Sequence, residues 1–497
     1  MRLADVVAGL PVGGAPAREL EEIEVRGVSH DSRRVSPGDL FVAWTGQHFD
    51  GRRFAGAAVE RGAVAVLAQG EPLAASAVPW LTAEEPRRLL APIAARLYGH
   101  PDRELVMAGV TGTNGKSTVA VLLQRMLSAA GRPCGVLGTL GYEFAGRSFP
   151  GERTTPEASD FFAVLRAMRD AGAAAAAMEV SSHALAQGRV AEAAFDVAVF
   201  TNLTRDHFDF HPDFDDYFAA KRRLFGMLKP GGRRVTHVAD PWGERLRREF
   251  PDALTFRGDG QPADVWAREV ELDSRGIRGV LVTPRGELPF ATALRGRFNL
   301  ENLLAAAAGA EALKLPHAAI AGALAEVRPL PGRMEPVERG QEFPVFIDYA
   351  HTDAALRAAL GGAREFTRRK LIVVFGCGGD RDPGKRPLMG RAAGELAELP
   401  IATSDNPRSE DPQAILASVE RGLRESRNPS YRIVPDRREA IRGAIAVAAG
   451  APGEWALVVA GKGHEQEQII GGDRLPFSDR DELRKALEER LGPAAGR

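Results

Sequence analysis

Short apolar runs alternate with stretches of helical periodicity along most of this 497-residue chain. In the middle of the chain, apolar runs at 105–108, 132–140, 174–180 and 197–203 are separated by helical patterns such as 159–171. Strands that alternate with helices are typical of a parallel sheet with crossover helices. In such sheets ligands bind beyond the carboxyl ends of the strands, so we expect the chemistry at those ends.

Two breaks divide this pattern into three parts. The first part mixes apolar runs at 40–43 and 63–67 with a helical stretch at 86–98, and it ends at a proline-containing turn at 98–101. A proline-rich turn at 329–332 is the second break, and apolar runs recur after it at 345–347, 370–375 and 455–460. Because the chain is too long for one hydrophobic core, we predict α/β domains at 1–100, 101–332 and 333–497.

A glycine-rich loop follows the apolar run at 105–108. It spans residues 109–118, reads GVTGTNGKST and leads into a helical pattern. Glycines allow successive backbone N–H groups to surround phosphate oxygens, Lys116 adds a positive charge, and Ser117 or Thr118 can reach Mg²⁺. A strict Walker A motif would have glycine where Val110 stands. The loop nevertheless predicts ATP or GTP chemistry.

Composition narrows the range of partners. The chain has 65 basic and 66 acidic residues, so no overall charge favours nucleic acid or an anionic membrane, and small-molecule substrates are expected. Cys134 and Cys377 lie far apart without metal-ligand spacing, which fits two buried thiols in a reducing compartment. No apolar run has the length of a membrane span, and the N-terminal segment lacks a signal-peptide core. We therefore expect a cytoplasmic protein.

Charged residues follow further predicted strands of the middle part. Glu179 stands at the end of the run 174–180, where its carboxylate is suited to Mg²⁺, although alone it would be a solvated strand-end residue. The segment 201–211 contains two aspartates and two histidines, which could form a transition-metal site, but contacts with a hard cation or phosphate are favoured. Lys221, within the helical pattern 217–225, would by default be a solvated lysine.

The last third of the chain combines charges of both signs in the turns after its apolar runs. Arg381 follows the run 370–375, while Asp405 and Arg408 lie in one later turn and Glu465 in another. Together they would suit a zwitterion, because guanidinium groups bind carboxylates bidentately and carboxylates hold ammonium groups. Surface ion pairs explain the same residues equally well.

Taken in order, these segments resemble the Mur ligases of peptidoglycan synthesis over nearly the whole chain. The resemblance rests on Lys221 and on the segments TGTNGKST at 111–118, EVSSH at 179–183, NLTRDH at 202–207, GRFNLEN at 296–302, PGRME at 331–335, DYAH at 348–351, DNPR at 405–408 and GKGHE at 461–465. The family's phosphate loop is similar to TGTNGK[ST], so Val110 fits it. The resemblance implies a small N-terminal α/β domain that binds a UDP substrate, a central P-loop-type ATPase domain with a mostly parallel sheet, and a C-terminal Rossmann-like α/β domain that binds an amino acid.

The resemblance also implies the reaction and its residues. In this family a substrate carboxylate attacks the γ-phosphate of ATP, and an amine then displaces phosphate from the acyl phosphate to form an amide. The implied ATP-binding residues are Gly112, Thr113, Asn114, Gly115, Lys116, Ser117, Thr118, Asn299, Arg333 and Asp348. The implied Mg²⁺-binding residues are Ser117, Thr118, Glu179, His207 and Lys221, with Lys221 carbamylated by CO₂ to N6-carboxylysine. Lys116, Glu179, His207 and Lys221 would be the catalytic residues.

The two remaining substrates are assigned by the same resemblance. UDP-N-acetylmuramoyl-L-alanyl-D-glutamate would bind Ser32, Gln47, His48, Phe49, Thr154, Thr155, Ser181, Gln187 and Arg189; Arg153, which stands where some relatives have asparagine, is left out. The amino acid would bind Arg381, Asp405, Asn406, Pro407, Arg408, Gly461 and Glu465. The DNPR segment resembles family members that add meso-2,6-diaminopimelate. The second carboxylate of that amino acid suits Arg381 and Arg408, whereas the ammonium of lysine would be repelled.

Alternative functions share parts of this pattern. An L-lysine-adding ligase of the same family, or a member that adds a dipeptide, would use the same chemistry. A folylpolyglutamate synthase-like ligase would share the loop and the fold, but the UDP-side residues and the DNPR segment argue against it. A catalytically silent nucleotide-binding regulator would not need Lys221. We expect ATP and Mg²⁺ as cofactors, small-molecule substrates, no nucleic-acid or membrane partner, and a monomer.

Overall fold

The computed structural model describes residues 1–46, 49–151 and 153–491, and the chain divides into two compact units. The first unit comprises Met1–Thr111, Leu123–Val199 and Ala219–Arg234. The second comprises Gly112–Leu122, Phe200–Phe218 and the chain from Val235 onwards.

The first unit begins with a small parallel sheet. Its strands are neighbours in chain order: β1 (Gly27–Ser29), β2 (Asp39–Ala43), β3 (Ala65–Ala68) and β4 (Trp80–Thr82). The helices of this region are α1 (Leu3–Val7), α2 (Ala17–Glu22), α3 (Ala55–Glu60), α4 (Pro86–Leu97) and α5 (Pro101–Glu104). Strand β3 is buried along its whole length, which explains why it reads as a continuous apolar run instead of an alternating one.

A larger sheet follows in the first unit. Its strands are β5 (Val106–Thr111), β6 (Cys134–Gly138), β7 (Gly141–Phe144), β8 (Arg147–Phe149), β9 (Ala175–Glu179) and β10 (Phe195–Phe200), and they are neighbours in the order β10, β5, β9, β6, β7, β8. Strand β9 is parallel to both β5 and β6, whereas β7 and β8 add an antiparallel edge. The helices that come between these strands or after them in the chain are α6 (Lys116–Ala129), α7 (Ala158–Asp170), α8 (Ser182–Ala186) and α9 (Phe214–Arg222). Alanines and Met178 fill the buried strand β9, so the apolar run at 174–180 is confirmed as a strand.

The second unit contains an antiparallel sheet that the hydrophobic pattern did not indicate. Its strands are β13 (Trp266–Asp273), β14 (Gly276–Thr283) and β15 (Gly286–Thr292), and they follow the pair β11 (Leu228–His237) and β12 (Leu254–Phe256) along the chain. Helices α10 (Pro241–Glu249), α11 (Arg297–Ala312) and α12 (His317–Glu326) complete this region. Helix α11 is buried along most of its length.

The second unit also contains a six-stranded sheet with a hydrophobic cluster on each of its two faces. Its strands are β16 (Glu335–Pro336), β17 (Val345–Asp348), β18 (Lys370–Phe375), β19 (Leu399–Ala402), β20 (Arg432–Ile433) and β21 (Trp455–Ala460). They are neighbours in the order β16, β17, β21, β18, β19, β20. Strand β16 is antiparallel to β17, and the other neighbouring pairs of this sheet are parallel. The helices are α13 (Asp353–Thr367), α14 (Lys385–Leu396), α15 (Pro412–Glu425), α16 (Arg437–Gly450) and α17 (Asp479–Leu491), and a hairpin is formed by β22 (Glu467–Ile470) and β23 (Asp473–Pro476). Alternate residues of β18 enter two separate hydrophobic clusters, with Val373 in one and Ile372 in the other.

The α/β class and the mostly parallel sheets are confirmed. The predicted strand at 197–203 is wrong at its end, because β10 stops at Phe200 and the next residues turn away as a loop. Cys134 and Cys377 are free, buried thiols, and burial raises the pKa of the Cys377 thiol to about 12. Among the described residues, no helix combines the length and the apolar character that a membrane span requires.

Candidate active site

The glycine-rich loop turns out of strand β5 at Gly112 and enters helix α6 at Lys116. Gly112 has a φ of +151° and Gly115 a φ of +87°, where glycine is strongly favoured. A Cβ at position 112 would lie 1.9 Å from Thr201 Oγ1, and one at position 115 would lie 2.2 Å from Asn302 Oδ1. Backbone conformation and space therefore both require these two glycines.

The Lys116 side chain folds back over the loop that precedes it. Its Nζ donates hydrogen bonds to the backbone oxygens of Gly112 at 3.1 Å and Thr113 at 2.9 Å. The ammonium is therefore held against the loop at the N-terminus of α6. A nucleotide phosphate bound there would be stabilised by this ammonium and by the positive end of the helix dipole.

Asn202 fixes the conformation of the loop, and sequence reasoning did not include it among the site residues. Its Oδ1 accepts the Asn114 backbone N–H at 2.9 Å, while its Nδ2 donates to the Asn114 backbone oxygen at 3.2 Å. The backbone N–H of Thr204 donates to Thr113 Oγ1 at 3.0 Å. The sequence feature that could have indicated Asn202 is its position just after Thr201 at the end of strand β10, in the segment that also carries His207.

His207 lies beside the buried carboxylate of Asp206. His207 Nε2 is 3.4 Å from Asp206 Oδ2, His351 Nε2 is 3.6 Å from the same oxygen, and Lys385 Nζ is 4.0 Å from Asp206 Oδ1. Burial alone would raise the pKa of Asp206, but these three neighbours hold it well below its usual range. The predicted site residue His207 thus stands in a cluster built around a carboxylate.

Arg333 and Ser117 are brought together although they are far apart in sequence. Arg333 Nη2 donates to Ser117 Oγ at 3.2 Å. Asp348 fixes the segment that carries Arg333, because its Oδ2 accepts the Met334 backbone N–H at 2.8 Å, and its Oδ1 accepts that of Ala350 at 2.9 Å. Burial raises the pKa of Asp348.

Asn299 lies at the start of helix α11 and is almost fully buried. Its Oδ1 accepts from Asn302 Nδ2 at 3.1 Å, and its own Nδ2 donates to the Arg295 backbone oxygen at 2.8 Å. Because Asn302 also lies against Gly115, Asn299 is connected to the phosphate loop through one intervening side chain.

Glu179 and Lys221 lie in the first unit, and both are buried. Glu179 is 2% exposed; its Oε1 accepts the Thr139 backbone N–H at 2.8 Å, and its Oε2 accepts from Thr139 Oγ1 at 3.3 Å. A Cβ at Gly138 would lie 2.3 Å from Glu179 Oε1, so the glycine makes room for the carboxylate. Lys221 is 1% exposed. The default interpretations of these two residues as solvated are therefore wrong.

Five residues predicted for the UDP substrate form one hydrogen-bonded cluster in the first unit, linked through Thr139 and through the carboxylate and backbone oxygen of Glu179. Its members are Thr154, Thr155, Ser181, Gln187 and Arg189. Thr154 Oγ1 is 3.0 Å from Thr139 Oγ1, while Thr155 Oγ1 donates to the Glu179 backbone oxygen at 2.8 Å and accepts the Ser181 N–H at 3.0 Å. Arg189 donates to the Thr155 backbone oxygen at 3.0 Å and to Gln187 Oε1 at 2.7 Å. Burial lowers the pKa of Arg189 to about 10, as expected for a guanidinium with little water around it.

Two further residues predicted for this substrate, Ser32 and Phe49, follow strands β1 and β2 of the small parallel sheet along the chain. Ser32 opens a turn that is capped by Asp31, and Phe49 is exposed. Gln47 and His48 lie outside the described residues. Arg153, which was left out of the prediction, has an exposed side chain.

The residues predicted for the amino acid converge beyond strands β18, β19 and β21. Arg408 has a φ of +53°, and its Nη1 donates to the Gly379 backbone oxygen at 2.6 Å. Burial and the nearby charge of Arg381 both lower the pKa of Arg408. A guanidinium group whose pKa is lowered by burial and by a second guanidinium nearby is suited to an anionic partner.

Carboxylates and an amide complete this cluster. Asp405 and Asn406 are buried, which contradicts the surface-ion-pair alternative for this turn. Asn406 Nδ2 donates to Glu465 Oε2 at 2.8 Å. A Cβ at Gly461 would lie 2.4 Å from Asp405 Oδ2, so the glycine allows the loop to approach the carboxylate. Pro407 lies between these residues and is buried.

Oxygen donors dominate the residues predicted to hold Mg²⁺. Within residues 1–46, 49–151 and 153–491, no three His, Cys, Asp or Glu side chains converge as a ready-made metal site. Hydroxyls, a carboxylate and a carbamate are hard ligands that suit Mg²⁺, which commonly takes few protein ligands together with the phosphates of its substrate.

Three family models match the chain in succession. The Mur ligase family, catalytic domain, matches residues 24–98; the Mur ligase middle domain matches residues 110–310; and the Mur ligase, glutamate ligase domain, matches residues 332–463. Together with the fold and the phosphate loop, these matches define an ATP-dependent ligase that forms amide bonds. The chain belongs to the Mur ligase family.

Similar proteins share both the sequence and the fold over their full length. A UDP-N-acetylmuramoyl-L-alanyl-D-glutamate–2,6-diaminopimelate ligase of Gloeobacter violaceus is 44% identical over 493 residues, with 99% of each chain covered. The ligase of the same name from Geobacter metallireducens is 42% identical, with 98% of each chain covered. A solved structure of a ligase with this name has a TM-score of 0.67 and 33% identity, and the match covers 99% of both chains.

Proposed function

We propose that this protein joins meso-2,6-diaminopimelate to UDP-N-acetylmuramoyl-L-alanyl-D-glutamate, with ATP converted to ADP and phosphate, in peptidoglycan precursor synthesis. The observation that carries the choice of amino acid is the pair Arg381 and Arg408 next to the carboxylates of Asp405 and Glu465. Diaminopimelate presents a carboxylate and an ammonium at its distal end, so it can satisfy both kinds of charge.

The reaction proceeds in two steps. The carboxylate of the D-glutamyl residue attacks the γ-phosphorus of ATP, the bond to the bridging β,γ-oxygen breaks, and ADP leaves. The amine of diaminopimelate then attacks the acyl phosphate, phosphate leaves, the nitrogen loses a proton, and an amide remains. Both steps bring anions together, so the protein's main contribution is positive charge and accurate placement.

The nucleotide would be held by the phosphate loop and by residues that follow it in the second unit. The N–H groups of residues 112–118 and the ammonium of Lys116 would bind the β- and γ-phosphates. The Arg333 guanidinium, already at the start of α6, would bind ribose or phosphate oxygens, and Asp348 would hold its segment in place. Asn299 would contact the adenine side.

Ser117, Thr118, Glu179, His207 and carbamylated Lys221 would hold Mg²⁺. When bound, Mg²⁺ neutralises the charge that develops on the transferred phosphoryl group. Carbamylation would convert the buried Lys221 from a cation, which repels Mg²⁺, into an anion that attracts it. A lysine that is 1% exposed fits this modification, because an ammonium is costly to bury and carbamate formation needs the neutral amine.

The UDP substrate would lie along the first unit. Ser32, Gln47, His48 and Phe49 would contact its UDP portion. The cluster of Thr154, Thr155, Ser181, Gln187 and Arg189 would hold the muramoyl dipeptide. The corresponding domain assignment is 1–100 for the UDP substrate, 101–332 for ATP and 333–497 for the amino acid, in a cytoplasmic monomer.

One comparison of amino acids tests this function. ATP-dependent phosphate release is measured with UDP-N-acetylmuramoyl-L-alanyl-D-glutamate and either meso-diaminopimelate or L-lysine. We expect kcat/KM to favour diaminopimelate by ~100-fold or more, because lysine lacks the distal carboxylate that both arginines are proposed to bind. A preference for lysine would overturn the choice of amino acid. Release that instead requires a folate and glutamate would support the folylpolyglutamate synthase-like alternative.

A further inference from the structure

Lys462 is a fully buried cation among the residues that we propose bind the amino acid. Its side chain is 0% exposed, and its Nζ donates to Asn406 Oδ1 at 3.0 Å and to Glu465 Oε2 at 3.1 Å. The segment 461–465 contributes to the family resemblance, but Lys462 is not among the site residues predicted from the sequence. Its position next to two proposed ligands requires a specific explanation.

The Asn406 amide has only one orientation that satisfies its neighbours. Its Oδ1 accepts both from Lys462 Nζ at 3.0 Å and from the Ile469 backbone N–H at 3.0 Å. Its Nδ2 donates to Glu465 Oε2 at 2.8 Å. Exchanging the amide oxygen and nitrogen would place two donors against Nδ2 and two acceptors together at Glu465. Lys462 and Ile469 thus hold the second N–H of Asn406 in a fixed direction.

The Glu465 carboxylate is oriented by the same two side chains. The hydrogen bonds that it accepts from Lys462 and from Asn406 both go to Oε2. Glu465 is partly exposed whereas Lys462 is not. The arrangement restrains Oε2 and leaves Oε1 as the oxygen that can accept an ammonium from a bound amino acid.

The backbone around Lys462 directs its side chain inwards. Gly461 has a φ of +113° and Gly463 a φ of +57°, both favoured by glycine. A Cβ at position 463 would lie 2.7 Å from Tyr349 Cβ, and the Gly461 N–H donates to the Asp348 backbone oxygen at 3.1 Å. A loop bound so closely on both sides has little freedom to place Lys462 elsewhere.

Burying an ammonium is unfavourable unless its partners compensate for the lost water. A hydrophobic residue in this position would often stabilise the fold as well or better. The ionic arrangement is therefore weak evidence for a stabilising role, and both of its partners are residues that we propose bind the amino acid.

We infer that Lys462 is a positioning residue for the distal end of the amino acid: it orients Asn406 and Glu465 so that Glu465 can accept the distal ammonium. The inference rests on the proposed function. Lys462 contacts no reacting atom and acts only through its two partners, so its loss should affect recognition of that ammonium more than nucleotide binding.

The test compares meso-diaminopimelate with L-2-aminopimelate, which has the same carboxylates but lacks the distal ammonium. For the wild-type enzyme we expect kcat/KM to favour diaminopimelate by ~10-fold or more, as for a site built to bind a polar group. In Lys462→Met this preference should shrink at least fivefold, with KM for ATP within about twofold of wild type. A purely structural role would not change the preference between two amino acids.

A double-mutant cycle distinguishes positioning from an independent effect. If Lys462 acts through Glu465, the preference in Lys462→Met/Glu465→Gln should equal that in Glu465→Gln alone. Lys370→Met is the matched control, because Lys370 forms an exposed pair with Glu454 at the same N–O distance of 3.1 Å; it should leave every parameter unchanged. Lys462→Gln replaces Lys462→Met if the latter does not fold, and Glu465→Gln must reduce the preference in either case.

The outcomes separate the inference from the proposed function. If wild-type enzyme does not use diaminopimelate, the proposed function fails. If it does, an unchanged preference in the Lys462 variant would overturn the inference. An equal rise in KM for ATP and for the amino acid would also overturn it, because it would show a general structural role.

Discussion

Arg437 and Asp479 form a bidentate ion pair in which both side chains are 0% exposed. Arg437 Nε donates to Asp479 Oδ1 and its Nη2 to Oδ2, both at 2.7 Å, and the same Nη2 donates to the Ala460 backbone oxygen at 2.9 Å. The pair therefore joins the first turns of α16 and α17 to the end of β21. Ala460 directly precedes the GKGHE loop, so this ion pair supports the base of the proposed amino-acid site.

Breaking this pair should destabilise the protein strongly. Asp479→Asn leaves the Arg437 guanidinium buried without its counter-charge, and we expect the free energy of unfolding to fall by ~3–5 kcal/mol. The measurement is urea denaturation followed by circular dichroism. Glu489→Gln is the control, because it breaks the exposed Arg442–Glu489 pair on the same two helices and should cost less than ~1 kcal/mol. Equal losses in the two variants would contradict this account.

Two glycines with positive φ should respond differently to alanine. In Gly112→Ala the new Cβ would lie 1.9 Å from Thr201 Oγ1 and distort the phosphate loop, so we expect kcat/KM for ATP to fall by ~100-fold or more. Gly146 has a φ of +78° in an exposed turn, where an added Cβ would meet nothing within 4 Å. Gly146→Ala should cost only about 1–2 kcal/mol of stability. Steady-state kinetics with ATP, measured for both variants, test this difference. Equal kcat/KM for ATP in the two variants would show that the phosphate loop tolerates a side chain at position 112.

Apolar runs predicted the buried strands well and the half-exposed ones poorly. Strands β18 and β21 begin and end where the predicted runs 370–375 and 455–460 do, because both are buried on two faces and are bounded by polar or glycine-rich turns. The antiparallel strands β13, β14 and β15 carry charged residues on an exposed face and have only short buried segments. Their hydrophobic pattern is correspondingly weak, and it did not predict them.

The candidate site was predictable where a motif carries its own chemistry. Glycines, a lysine and hydroxyls in one loop indicate phosphate binding without any further context. Burial of Glu179 and Lys221 was not predictable, since charged residues are usually exposed and their surroundings come from distant parts of the chain. Asn202 and Lys462 were missed because each contacts a residue that is remote in sequence, Asn114 and Asn406 respectively, and only the fold shows the contact.

Loss of Arg408 should weaken binding of the amino acid selectively. Arg408→Ala removes one of two guanidinium groups available to the distal carboxylate, so we expect KM for diaminopimelate to rise by ~10-fold or more, with KM for ATP within about twofold of wild type. Arg421→Ala, on the exposed side of α15, is the matched control and should behave as wild type. If both KM values rose together, Arg408 would be supporting the fold or domain closure instead of the substrate.

Lys221 provides the most direct test of the proposed chemistry, because it is buried and yet proposed to work as an anion. Lys221→Ala should lower kcat by ~100-fold or more, the scale for removing one group that stabilises transition-state charge. Short carboxylates such as acetate or formate should restore part of the activity, since they can replace the missing carbamate in the cavity left by the side chain. Lys314→Ala, which replaces an exposed lysine, controls for the loss of positive charge. Its kcat should equal that of wild type, with or without added carboxylate. In wild-type enzyme, ¹³C-labelled bicarbonate should produce a carbamate signal in the NMR spectrum that is absent from Lys221→Ala. Normal turnover of Lys221→Ala, or the same NMR signal in both proteins, would contradict the proposed carbamate on Lys221.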